Sequence, residues 1–353
     1  MKVLYIYSGK RKGRFNGRIG VDYPDTQFYG LNHLSKFGID AEYKEADDLI
    51  RSSILRYILS WRARHFLMFF LAKKYDVVFG ISIIYMMFWR KIIPAKKTKF
   101  ILYNSVIRRT LIANKKRPLK LLIIKWLLKE LDGVVCLSNF QKEYIEKNLP
   151  FLKGKTFFVP IGVDSDYYKF QRNERKNFYL SVGRDNGRDY QTVIDVARDM
   201  PDREFHIICL PRNIAGIKNI PSNVQIMHSI SSEELSREYK EAYAMLLITH
   251  DDNHLDGSAD ASGPTVLVEA MAVGLPIIAS RKKYLEDYVS DGKDAVFVDF
   301  YSKDSIINKI KELNNSAVAE NIAKSARKKV EENLSTEIMA KTLANIFKKY
   351  ESN

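Results

Sequence analysis

The stretch DASGPTVLVEAMAVGLPIIAS, residues 260–280, decides the fold. It opens on small, turn-forming residues. It then runs into VLVEAMAVG, which reads as the first turns of a helix, and leaves through the Pro-led apolar strand PIIAS. A helix that starts from a Ser-Gly loop presents free N–H groups and the positive end of its dipole, which together favour an anion. Gly263 lets a ligand approach the backbone closely. Pro264 has no N–H and suits a first-turn position. Thr265 adds a hydroxyl, with Ser262 before it in the same turn. Glu269 follows Thr265 by four residues, one turn along the same face. A nucleoside diphosphate, its phosphates at the turn and its ribose on Glu269, fits this pair of features. A helix that merely packs, with Glu269 solvated or in a surface ion pair, fits the pattern equally well.

Outward from this segment, strand and helix alternate. KVLYIYS, GIDAEYKEA, YDVVFGIS, KFILYNS, DGVVCLS and KTFFVPIG read as strands of a first series. Helix-like DTQFYGLNHLSKFG, a helical pattern over 49–74, a basic-apolar helix over about 117–131 and NFQKEYIEKNL separate them. A second series begins at NFYLSVG and continues through EFHIICLP, NVQIMHSI, YAMLLITH, PIIAS and DAVFVDF. Such alternation predicts parallel sheets with helices on both faces. The expected class is therefore α/β, as two doubly wound Rossmann-like domains facing across a cleft. The boundaries expected are 1–165 and 166–335, with a C-terminal helix, 336–353, able to cross back to the first domain. Ligands of such sheets bind at the carboxyl ends of the strands.

A chain of 353 residues suits two cores rather than one. Cys136 and Cys209 lie inside apolar runs and read as small buried residues of a reducing compartment, not as a disulfide frame or metal set. MKVLYIYSGK reads as a strand and is too short for a signal peptide. No run approaches the roughly 20 uncharged apolar residues of a membrane span. The net charge of +15 is uneven: 32 Lys and Arg face 14 Asp and Glu in residues 1–170, against 25 and 28 in the rest. An anionic partner of the first half follows: a phospholipid surface, a lipid phosphate or nucleic acid.

VLVEAMAVGLPIIAS followed by DGKDAVFVDF resembles the carboxyl-domain signature of the retaining GT-B glycosyltransferases, in the large family 4 group. That signature reads E-G-F-G-x-x-x-x-E-A-M-A-x-G-x-P-V-V-A. VPIGVDSDYY resembles the family's linker, FYLSVGRDNGRDYQTVIDVA the opening of its second domain, and SSEELSREYKEAYAMLL the helix and strand before the sugar-nucleotide loop. The likeness covers about residues 130–300; the amino half matches only in the order of strands and helices.

The resemblance implies transfer of a sugar from a nucleotide-diphosphate donor with retention of configuration, without a metal or other cofactor. It assigns Glu269 to the ribose and Arg184, after Gly183, to the diphosphate. Where the family has a second cation, a Lys, the nearest here is Arg188; both guanidiniums suit phosphate oxygens. Where the family has its first glutamate this chain has Ala261; Asp260 is the candidate replacement, with Asp251, Asp252 and Asp256 as further candidates. Backbone groups of Ser262, Gly263, Pro264 and Thr265 are the alternative, and a catalytically weak sugar-nucleotide binder is the rival function. Base contacts are expected from the loop of Pro211 and Arg212 up to Ile214, and from His228 to Ser231, including Ile230. Asp251 and Asp252 read as a solvated loop rather than a metal site.

The acceptor falls to the amino half. SGKRKGRFNGRIGVDYPD, with Gly17, Arg18 and Asp22, is Gly-rich and basic, suiting phosphate contact. Asn104 and Ser105 stand after KFILY, where many family members carry a histidine; Asp22 and Asp25 are candidate bases. IRSSILRYILSWRARHFLMFFLAKKY and RPLKLLIIKWLLKE are basic, Trp-bearing and apolar, as helices of the lipid headgroup layer are, although helices covering a sheet read alike. The expectation is a cytoplasmic glycosyltransferase, peripheral on the inner face of the cell membrane, acting on a lipid-linked or glycan acceptor in polysaccharide, lipopolysaccharide or glycolipid synthesis. Nucleic acid is not expected: no binding module is recognisable, and the aromatics sit in apolar runs where bases could not stack.

Overall fold

The computed structural model describes residues 1–7, 19, 21–45, 61–95, 97–170, 175–252 and 262–351. They form two compact units. One comprises Met1–Asn16, Phe28–Pro160 and Glu337–Asn353, the other Gly17–Gln27 and Ile161–Thr336.

The first unit carries strands β1 (Lys2–Tyr7), β2 (Asp40–Glu45), β3 (Val77–Gly80), β4 (Lys99–Tyr103), β5 (Gly133–Cys136) and β6 (Thr156–Phe158). They pair in parallel in the order β2-β1-β3-β4-β5-β6. β3 and β5 are buried along their whole length, which is why they read as unbroken apolar runs. The helices between them are α1 (Trp61–Ala72), α2 (Met87–Ile92), α3 (Ile107–Ala113), α4 (Pro118–Leu128) and α5 (Asn139–Asn148). Cys136 is buried and unbridged.

DTQFYGLNHLSKFG departs from the helix expected of it. It folds as two 3-10 turns, Asp25–Phe28 and Leu31–Phe37. The break falls at Tyr29 and Gly30, both at positive φ (52° and 76°). A Cβ on Gly30 would meet the backbone nitrogen of Ala340 at 2.9 Å, so close packing there excludes a side chain and a continuous α-helix.

The second unit contributes β7 (Phe178–Val182), β8 (Glu204–Ile208), β9 (Val224–Met227), β10 (Ala244–Leu247), β11 (Ile277–Ser280) and β12 (Val296–Val298), in the parallel order β12-β11-β10-β7-β8-β9. Its helices are α6 (Tyr190–Asp199), α7 (Pro211–Ile214), α8 (Ser232–Glu241), α9 (Pro264–Val273), α10 (Lys303–Leu313) and α11 (Ser316–Asn333). The chain order reverses between β7 and β10, the switch point at which open α/β sheets bind ligands. The final helix, α12 (Thr336–Lys348), groups with the first unit from Glu337 onward. There Phe347 meets Tyr5 and Phe79 edge-on, with ring centroids 6.5 and 5.5 Å apart.

α9 is an interior helix. Only Thr265 and Val266 are partly exposed; the rest, Glu269 included, is buried. A helix apolar on all sides is one that packs on all sides. It stops at Gly274, at φ 72°, where a Cβ would meet the Phe170 ring at 2.2 Å. Arg327 of α11 satisfies the carbonyl of Ala272 (2.7 Å).

Candidate functional site

β7 delivers the chain to Gly183 at the switch point, and the loop that follows is tied down on both sides. Asp185 Oδ1 accepts from the Gly187 amide (2.9 Å). Gly187 accepts from the His250 amide (2.9 Å), and Arg188 pairs with Thr249 in an antiparallel bridge. Asp189 then caps α6 through the Thr192 amide (3.0 Å). With the backbone held, the Arg188 side chain folds back under Gly183 and is only 1% exposed. A Cβ on Gly183 would meet its Nε at 2.1 Å, and one on Gly263 would meet its Nη1 at 3.4 Å. Two glycines thus make room for one guanidinium at the start of α9.

Arg188 Nε lies 3.3 Å from Asp185 Oδ2. Burial, the largest single influence, weakens the guanidinium's hold on its proton, but the Asp185 carboxylate together with Tyr190, Tyr284 and Tyr239 outweighs it and the pKa is raised. Burial likewise acts to raise the Asp185 carboxyl, yet the Arg188 charge and the Gly187 amide are among the influences that leave it below its ordinary value. The charged pair is therefore permanent at neutral pH. Arg188 Nη1 is buried without a hydrogen-bond partner among the described residues. A buried donor left unpaired costs about 1–3 kcal/mol, and its persistence points to a ligand acceptor.

One turn into α9, Glu269 is 5% exposed and accepts a hydrogen bond from the Tyr239 hydroxyl (2.9 Å). Burial pushes its carboxyl up to about 7, against hydrogen bonds from Tyr239 and Tyr168 that favour the charged form. Glu269 is buried, and it makes no surface ion pair among the described residues. Glu269 is instead a carboxyl close to half-charged at neutral pH, oriented by two tyrosines.

The remaining expected residues divide. Arg184 is exposed, and its carbonyl accepts from Arg212 Nη2 (3.2 Å). Asn213 of α7 donates to the Asp185 carbonyl (3.0 Å), so the Pro211 loop is brought against the Gly183 loop. His228 stands beyond β9 with Nδ1 2.7 Å from the Cys209 carbonyl, and half-buried Ile230 leads into α8. Pro264 and Thr265 open α9 as expected, with Gly263 in the left-handed region at φ 101°. Asn104 holds the turn that leads into α3: its Oδ1 accepts from the Val106 (3.3 Å) and Ile107 (3.0 Å) amides. Ser105 beside it is half-buried, and Asp22 is exposed. Asp25 is buried in the second unit, its amide donating to Asp164 Oδ2 (3.0 Å) while the Asp164 amide donates to Thr26 (3.1 Å). That reciprocal clasp is a structural role. Gly17, Arg18, Asp256, Asp260 and Ala261 lie outside the described residues.

Sequence reasoning missed Lys282. Its side chain is fully buried beyond β11, with Nζ 3.6 Å from Asp252 Oδ1 and 5.5 Å from the Tyr284 ring. Asp252, expected in a solvated loop, is its partner. The signal was its position: SRKKY follows the strand PIIAS at the carboxyl edge that Gly183 and α9 share.

A pair of six-stranded parallel sheets in these two strand orders defines a GT-B protein. Solved structures align over essentially the whole chain. A glycosyltransferase from Rickettsia africae ESF-5 gives a TM-score of 0.65 at 14% identity, over 100% of this chain and 99% of that one. Sucrose-phosphate synthase from Thermosynechococcus elongatus gives 0.69 at 16%, over 99% of each. Anabaena HepE, in complex with UDP and glucose, gives 0.67 at 12%, over 99% of this chain and 100% of that one. No curated protein sequence matches the chain significantly. Residues 164–329, which hold every element of the site, match the family of glycosyl transferases group 1, and this part of the chain is a domain of that family.

Proposed function

We propose that the protein transfers a glycosyl unit from a nucleoside-diphosphate sugar to a hydroxyl acceptor with retention of anomeric configuration and without a metal. The observation that carries this is the buried Arg188 guanidinium, its Nη1 unpaired, between Gly183 and Gly263 at the N-terminus of α9. Cleaving a sugar–diphosphate bond builds negative charge on the leaving phosphate. A fixed cation and free helix N–H groups lower that barrier without reorganising. Arg188 and the Ser262–Thr265 turn serve the diphosphate, with Arg184 at the rim. Glu269 accepts from the ribose hydroxyls. The loops of Pro211 and of His228 to Ile230 serve the base. Related folds have been crystallised with UDP and UDP-glucose, which makes uridine donors the first to test.

The acceptor in this reading is lipid-linked, and the basic first unit holds the protein on the anionic inner face of the cell membrane during surface polysaccharide or glycolipid synthesis. No helix among the described residues is long and apolar enough to cross a membrane. The test is release of UDP from a panel of uridine-diphosphate sugars, with and without EDTA, and NMR of the anomeric carbon in the product. Release that survives EDTA and an unchanged configuration support the proposal. Inversion, or activity abolished by EDTA and restored by a divalent cation, overturns the mechanism.

A further inference from the structure

The first unit contains a cavity of about 770 Å³ between α3, α4 and the 3-10 turn Ser82–Met86. Its size is that of a small-ligand site. Ile84, Trp89, Ile124 and Leu127 make its apolar wall. Two cations, Arg109 and Lys120, stand exposed at its edge, and no Asp or Glu is among its described lining residues. On the far side of α4 a second apolar hollow of about 530 Å³ is edged by Lys125 and Lys129. α4 itself shows large apolar side chains to solvent: Leu119 is 78% exposed and Leu122 65%. Such a surface is a liability unless something apolar covers it.

We propose that the α3–α4 cavity holds the hydrocarbon chain of one phosphate-bearing lipid, with its phosphate between Arg109 and Lys120. This rests on the lipid-linked acceptor proposed above and names the place where such a lipid is held. The charge pattern selects the occupant. An apolar helix partner or a second copy of this chain would need no cations at the mouth, whereas a phosphate above a buried chain uses both Arg109 and Lys120. Further cations follow at Lys115, Lys116 and Arg117, exposed in the turn between α3 and α4, so the anionic headgroups around the lipid meet positive charge as well.

The test uses the full chain and monoalkyl phosphates from octyl to hexadecyl, below their micelle concentrations, in calorimetric titrations. Inorganic phosphate and alkyltrimethylammonium ions of equal chain length are the controls. Affinity is expected to rise about fourfold per methylene and then level off at the length the cavity accepts. Ala113→Phe fills the cavity from an exposed position and is expected to reduce the affinity at least tenfold without changing the melting temperature. Arg109→Ser with Lys120→Ser is expected to weaken the phosphates and spare the ammonium ions. Equal binding of ammonium and phosphate chains, affinity that climbs with length without levelling, or an Ala113→Phe variant that binds normally would overturn the proposal. UDP release by the same protein keeps the two readings separate. Release without alkyl-phosphate binding removes the cavity assignment alone, and binding without release removes the glycosyl-transfer reading instead.

Discussion

The carboxyl edge of the second sheet and the α3–α4 face of the first unit both carry cations, and they handle them in opposite ways. In the second unit Arg188 and Lys282 are sunk out of solvent beside Asp185 and Asp252 and are fixed by glycines, tyrosines and backbone. In the first, Arg109, Lys120 and their neighbours ring an apolar surface on free side-chain stems. A buried, oriented charge acts on a group whose charge changes during reaction, because the site has little left to reorganise. An exposed charge over an apolar wall adds modest, salt-screened attraction to binding that comes from area. On the proposals made above, the first arrangement serves chemistry and the second serves holding.

The sharpest way to break this contrast is to remove the buried cation. Arg188→Ala is expected to lower turnover by about 10²- to 10³-fold, in line with losing one preorganised donor. Gly183→Ala should approach the same loss without touching a charge, since its Cβ would meet Arg188 Nε at 2.1 Å. Steady-state kinetics of UDP release checks both, and a near-normal rate in Gly183→Ala would show that the guanidinium can serve from elsewhere.

Glu269 gives the next effect. Losing a hydrogen bond to a charged group costs about 1.5–3 kcal/mol, so Glu269→Ala is expected to weaken donor binding roughly tenfold to a hundredfold, read by calorimetry. Its titration adds a signed pH effect. The folded carboxyl holds its proton up to about 7, against an ordinary 4.5, so the folded state binds more protons between those values. Stability therefore falls as pH rises through that window, by about 3 kcal/mol in all. Glu269→Gln should melt at a higher temperature than the native protein at pH 8 and close to it at pH 4, while binding donor more weakly. Equal melting curves at both pH values would show that the carboxyl is not strained by burial.

Arg184→Ala should do least. The side chain is exposed, and exposed ion pairs contribute about 0.2–1 kcal/mol, so a change of at most about fivefold in kcat/KM is expected. If Arg184→Ala matched Arg188→Ala, the division between buried and exposed cations would have no functional meaning.

How far these features were readable varies with how local their causes are. The strands were legible because a two-faced parallel strand must be an apolar run, as VVFG and GVVC are. The start of α9 was legible because Gly-Pro-Thr before an apolar helix has a local meaning. The ranking of Arg184 and Arg188 was not. They lie four positions apart, and their burial is decided by loop closure against Thr249 and by the space left at Gly263, both far off in the chain. Lys282 stayed hidden for the same reason: its partner Asp252 is 30 positions earlier and reaches it only through the pairing of β10 with β11. The 3-10 turns around Gly30 were misread because their cause, the approach of Ala340, lies at the opposite end of the sequence.

The proposed transfer stands on a nucleoside diphosphate bound at the β7–β10 switch point, against the start of α9. A crystal structure of the full chain with UDP tests it most directly. A phosphate oxygen is expected within hydrogen-bond distance of Arg188 Nη1 and of the amides that open α9, with a ribose hydroxyl on Glu269. UDP bound at another place in the chain, or at this edge with Arg188 Nη1 still unpaired, would contradict it.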